Sequence, residues 1–162
     1  MRDPVATLAF LEKEAYRMHF FQILRLIENA HPELPRIGES LRPRDDPLRF
    51  GQLPELKFHS TMIETLEPAN AYHPPRLIVN FFGMLGPQGP MPTHFTEYVR
   101  DRLRSPVPDP TWVRFLDIFH HRFLSLFYRA HAMGDPVISL DRQDNDRFST
   151  YIGSMFGLGT PA

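Results

Sequence analysis

Val79-Asn80-Phe81-Phe82-Gly83-Met84-Leu85-Gly86-Pro87-Gln88-Gly89-Pro90-Met91-Pro92-Thr93-His94-Phe95-Thr96-Glu97-Tyr98 reads as an apolar strand that runs into a glycine- and proline-ruled turn and delivers a helix. Gly83, Gly86 and Gly89 permit positive φ, while Pro87, Pro90 and Pro92 hold φ near about −65° and remove N–H donors. The stretch is therefore expected to form a loop of defined shape that cannot join a sheet. It carries no catalytic constellation, so Leu85, Pro87, Gln88, Pro90 and Met91 are candidates for a protein interface. Stiffening by proline lowers the ordering cost of docking, and an exposed methionine is an adaptable apolar contact. The competing reading is a connector that only turns the chain into the Thr93 helix.

Upstream of this stretch, Asp3-Pro4 is a helix start, with a cap residue followed by proline at the first helical position. A first helix is expected through Glu12, then a joint near Ala15 to Met18. A second helix carries Phe20, Ile23, Leu24 and Ile27 on one stripe and ends near Ala30, because Pro32 disfavours helix before it. Residues 31–47 hold four prolines and read as an extended connection. Leu48, Phe50 and Gln52 alternate with Arg49 and Gly51, and Leu56, Phe58 and Ser60 alternate with Lys57 and His59. This predicts two strands with one wet face, followed by a doubly buried strand over Leu77 to Phe82. The expected fold class is α+β: helices around a small, mainly antiparallel sheet, with long Pro/Gly-rich loops.

Downstream, Thr93 is expected to cap a short charged helix, and Asp109-Pro110 to start the longest one. On that helix Trp112, Phe115, Leu116, Phe119, Phe123, Leu126, Phe127 and Ala130 share a wide apolar arc. Such an arc is ordinarily core, so Trp112, Phe119 and Phe123 are expected to pack on Phe21, Leu24 and the Leu77 to Phe81 strand. The opposite arc holds Arg114, His121, Arg122, Ser125 and Arg129 and reads as a solvated face, its arginines being further interface candidates. Gly134 and Asp135-Pro136 should end the helix, and a last helix is expected from Asp146 to Phe156.

Composition narrows the function. The 162 residues are 42% hydrophobic with 14 Phe, enough for a real core in a single domain over 1–162. Seventeen prolines against nine glycines predict short elements and stiff loops. A formal net charge of −1 argues against a general nucleic-acid or anionic-membrane binder. The absence of cysteine excludes disulfides and thiolate metal sites, and no apolar run approaches a membrane span. A soluble, cytoplasmic protein is expected. Arginine outnumbers lysine 16 to 2, which suits carboxylate partners.

Sites for chemistry fail on spacing. His120 and His121 point about 100° apart on a helix and cannot easily share an ion; Asp117 lies four residues before His121, but neither HExxH nor a third ligand accompanies them. Asp141 to Ile152 lacks the glycine and the terminal glutamate of a calcium loop. Gly157 to Ala162 imitates a dinucleotide fingerprint but follows a helix and contains Pro161. Without cysteine or a Gly-x-Ser-x-Gly elbow, no nucleophile is indicated. No metal, no cofactor and no small-molecule substrate are expected.

Several stretches, in order, resemble the TssG family (also called ImpH or VasB) of bacterial type VI secretion systems: FFQILRLIE at Phe20 to Glu28, PRIGESLRPRDDPLRFGQLPELKF at Pro35 to Phe58, the Gly/Pro loop, FLDIFHHRFLSLFYRA at Phe115 to Ala130 and FGLGTPA at Phe156 to Ala162. Ala15 departs from the proline that the family often has there. The resemblance implies the N-terminal part of a longer, non-enzymatic scaffold of the baseplate wedge, in the cytoplasm and docked to an inner-membrane complex. It implies pairing with TssF and links to TssE and TssK, with no nucleic acid and no membrane insertion. The alternative is a cytosolic hydrolase fragment, for which His94 or His120 should meet a carboxylate in a deep pocket.

Overall fold

A computed structural model of the chain describes residues 4–70, 73–142 and 146–158. Among these the helices are α1 (Pro4–Glu14), α2 (Phe20–Ala30), α3 (Thr93–Arg104), α4 (Thr111–Gly134), α5 (Pro136–Leu140) and α6 (Arg147–Met155). The strands are β1 (Arg49–Gln52), β2 (Ile63–Glu67) and β3 (Arg76–Val79). The fold is α+β, as expected.

α2 follows its sequence closely. Phe20, Ile23, Leu24 and Ile27 are buried, and the helix stops one residue before His31-Pro32. A short 3₁₀ turn, Ala15–Arg17, fills the joint behind α1. Asp3 lies outside the described residues, as do 143–145 in the rejected calcium loop and 159–162 in the rejected fingerprint.

The sheet is mixed, in the order β1-β3-β2. β1 runs parallel to β3 with Phe50 opposite Leu77, and β2 runs antiparallel to β3 with Leu66 opposite Leu77. The strand expected over 56–60 does not form; Phe58 there is 76% exposed. The second strand is β2 instead, and a register irregularity between Ile63 and Thr65 explains why it escaped notice. With an extra residue inserted, the buried Ile63 and Leu66 stand three apart rather than two, which breaks the alternation. β3 ends at Val79, so Phe81 and Phe82 belong to the loop.

The main core joins Leu11 of α1, the stripe of α2, Phe50, Leu77 and Val79 of the sheet, and Leu124 and Tyr128 of α4. Phe20 is its centre, with ring centroids 5.1 Å from Phe81 and 5.9 Å from Phe50. A smaller cluster, Leu85, Val99, Val113 and Leu116, lies between the Gly/Pro loop, α3 and the start of α4. α4 runs against β1 and carries both clusters.

At the C-terminal end of α5, Asp141 accepts from Arg25 Nη2 at 2.8 Å and from Asn29 Nδ2 at 2.9 Å, tying this end of the chain to α2. The hydrogen bond from Arg25 holds the Asp141 carboxyl below the usual carboxylate range. A depressed pKa contributes stability above the unfolded value of about 3.9, and that stability is lost as pH falls through the folded value. The melting temperature of Asp141→Asn should therefore trail the parent by a constant amount between about pH 6 and 8, and the gap should close below about pH 4. Melts across this range check it; a gap independent of pH would mean that the contact is not ionic.

Candidate protein interface

The loop between β3 and α3 is anchored from inside the fold. Gln52, at the end of β1, is buried and clamps the backbone of Leu85: its Oε1 accepts from Leu85 N at 2.9 Å and its Nε2 donates to Leu85 O at 2.7 Å. Gly86 N donates to Thr96 Oγ1 at 3.0 Å and Met84 N to His120 Nε2 at 3.0 Å. These contacts press the loop against β1, α3 and α4, and the glycines follow from them. Gly83 has φ 152°, and a Cβ there would sit 2.2 Å from the Gln52 amide. Gly86 has φ 86°. At Gly89 a Cβ would come within 2.4 Å of Met84 O. Close approach at Gly83 and Gly89 and the left-handed φ of Gly86 thus account for the three glycines, and the connector reading gains by it.

The five loop candidates divide. Leu85 is buried in the small cluster and Met91 packs half-buried on its edge. Pro87, Gln88 and Pro90 remain exposed; Pro87 and Gln88 also form part of the wall of an open cleft of about 270 Å³ shared with residues 52–62. Thr93 is the first residue of α3 rather than its cap, which is Pro92 and contributes no side-chain bond.

α4 is turned about its axis relative to the expectation. Its buried residues are Val113, Leu116, Asp117, His120, His121, Leu124, Ser125 and Tyr128. Trp112, Phe119 and Phe123, expected in the core, are 40%, 42% and 45% exposed. Phe115, Ile118 and Leu126 are also exposed; of the expected arc Leu116 is buried, and Phe127, itself 39% exposed, lays one side of its ring inward, stacked on Phe82 at 5.7 Å and tilted against Phe21 at 5.5 Å. The reason is that the polar side chains on the inner face each find a partner inside the fold, although Nδ1 of His121 is left without one. Asp117 Oδ1 accepts from Gln52 N at 3.2 Å, and its Oδ2 accepts from Arg114 Nη1 at 3.0 Å. Asp46 Oδ2 meets His121 Nε2 at 3.0 Å, and the His121 ring stacks on Phe50. Ser125 Oγ donates to His121 O at 2.6 Å, and Tyr128 OH to Glu28 Oε2 at 3.1 Å. Once matched by hydrogen bonds, polar groups bury at little cost, so apolarity alone did not decide which arc faces inward.

The histidines are thereby assigned. Asp117 meets His120, three residues on, at 3.3 Å, rather than His121. Because Met84 N–H donates to Nε2 of His120, the proton of that ring sits on Nδ1, toward Asp117. This resembles half of a general-base dyad, but the basic nitrogen is taken by backbone and the ring is 1% exposed. His94 lies exposed on α3. Glu28, at the other end of the inner face, is pushed up by burial, against the Ile37 N–H and the Arg142 charge; Tyr128 is pushed up by burial and by Glu28 beside it. Among the described residues no three His, Asp or Glu side chains group so as to hold a metal ion.

The three arginines expected on a solvated face also part ways. Arg114 pairs with Asp117, and Arg129 donates to Gly38 O at 3.3 Å. Arg122 is exposed and has no ion-pair partner among the described residues. What sequence reasoning missed is the aromatic side of α4 as a surface. A signal was present: Val113, Asp117, His120, Leu124 and Tyr128 recur at helical spacing, which makes a second arc able to face inward if its polar members find partners.

No helix among the described residues is long and apolar enough to cross a membrane. Neither the curated proteins nor the solved structures include a match. The family model described as type VI secretion, TssG, matches residues 14–162, which takes in every stretch quoted above for the resemblance. This chain belongs to the TssG family and is a component of type VI secretion.

Proposed function

We propose that the chain is a structural scaffold of the type VI secretion baseplate wedge, pairing with TssF and linking TssE and TssK, on the cytoplasmic side of an inner-membrane complex. The observation that carries this reading is the aromatic side of α4, exposed on a helix whose other side is fixed by matched polar contacts. Isolated soluble domains rarely leave so many adjacent rings uncovered, and such patches mark sites of association. The mechanism is mechanical and requires no catalytic step. α4, about 36 Å long at 1.5 Å per residue, is held in register by Gln52, Asp46 and Glu28, so its outer side is presented rigidly and at a low ordering cost. Pro87, Gln88 and Pro90, on a loop pinned from within, form a second, smaller contact in this reading.

Co-expression with TssF, TssE and TssK, singly and together, tests it. TssF should co-purify with the chain through size exclusion, and TssE and TssK should join that complex. Folded chain that retains neither TssF nor TssK, alone or in the mixture, would refute the scaffold reading.

A further inference from the structure

We propose that the outer side of α4 is one half of a helix–helix seam, closed in the assembly by a single amphipathic helix of a partner chain that carries carboxylates opposite Arg122. The proposal rests on the scaffold reading and adds which surface is used and what shape of partner fits it.

The spacing argues for a helix. Trp112, Phe115, Phe119, Phe123, Leu126 and Met133 are all exposed, and Ala130 fills the remaining step. Successive members stand three or four residues apart, averaging about 3.5, which is the repeat of a knobs-into-holes seam rather than of a straight surface helix. Over six steps the stripe runs about 31 Å. It is narrow and long. A second helix matches that shape along its whole length, whereas a strand would offer a period of two and unpaired backbone groups to rings that cannot bond them. The rings already stand edge to face along the helix, with centroids 6.2 Å apart for Trp112–Phe115 and 5.6 Å for Phe115–Phe119. They form ridges between which a partner's side chains can enter.

Charge selects the kind of helix. Arg122 lies beside the stripe near its midpoint and is uncommitted, while the lone carboxylate of α4, Asp117, is turned inward and occupied. A second copy of this chain laid antiparallel on the same stripe would bring Arg122 against its own equivalent, and one laid parallel would offer it no carboxylate, because Asp117 is turned inward. Like charges facing each other in an interface disfavour that pairing. A helix with Asp or Glu flanking its apolar stripe meets both requirements.

TssF from the same secretion system, co-expressed with the full chain, is the probe. Phe115→Ser combined with Phe119→Ser should weaken TssF binding by more than about tenfold, and so should Arg122→Glu, while Arg122→Lys should retain most of it. All three positions are exposed, so the variants should lose only a few degrees of melting temperature and stay folded under the binding conditions, and loss of fold can be set aside. A benzophenone amino acid placed at position 119 should crosslink to TssF residues three, four or seven apart on one helix, with an acidic residue next to them. Undiminished binding by both the double variant and Arg122→Glu would overturn the seam while leaving the scaffold reading intact. So would crosslinks confined to a non-helical segment or to a second copy of this chain. Parent chain that fails to bind folded TssF would overturn both.

Discussion

Replacing Phe20 by alanine should lower the stability of the chain by about 3–5 kcal/mol, whereas Phe119→Ala should cost about 1 kcal/mol or less. Both are phenylalanines on amphipathic helices, and the sequence pattern alone would rank them alike. Phe20 is fully buried and its ring touches those of Phe21, Phe50 and Phe81, so truncation leaves a cavity at the junction of α2 and the sheet. Phe119 is 42% exposed, with one ring neighbour, Phe115, on its own helix. Urea unfolding of the two variants checks the contrast. Equal, large losses would put Phe119 in the core and return α4 to the orientation expected from its apolar arc.

The second large effect should come from Gln52. Its side chain supplies both hydrogen bonds that the Leu85 backbone makes, and both residues are buried. Gln52→Ala strands an N–H and a C=O at a cost of about 1–3 kcal/mol for each group left unpaired, so the expected loss is about 2–6 kcal/mol. Gly83→Ala should act through the same contact, because the added methyl would overlap the Gln52 amide. Amide exchange offers a sharper readout than global stability: in Gln52→Ala the N–H groups of Leu85 and Gly86 should lose protection before those of β3. Unchanged protection at Leu85 would show that the loop holds its shape without the clamp.

What could be read from the sequence followed how local the physics is. α2 was legible because its apolar stripe and the proline after it act within one helix. α6 was legible for the same reason, although Asp146, expected as its first residue, stands before it as the cap and accepts from Phe148 N and Ser149 N. β2 was hidden by a bulge that changes the spacing of its buried residues. The parallel pairing of β1 with β3 depends on the chain crossing to the far edge of the sheet and returning, which no window of residues encodes. At the candidate interface, the stiffness of the Gly/Pro loop was legible, but the inward Leu85 was not, because Gln52, 33 residues away, decides it. The same holds for α4. Two arcs of this helix can face inward, and the choice falls to Asp46, Gln52 and Glu28, distant residues that satisfy the polar arc and leave the aromatic one outside.

Trp112 reports on that choice directly. It is the sole tryptophan of the chain and stands on the outer side of α4. In the free chain its fluorescence should be accessible to acrylamide. On addition of TssF the emission should move to shorter wavelength and the quenching should fall as the aromatic side is covered. A Trp112 already shielded in the free chain, or one whose emission and quenching stay the same in a complex that has demonstrably formed, would contradict the assignment of this surface to assembly.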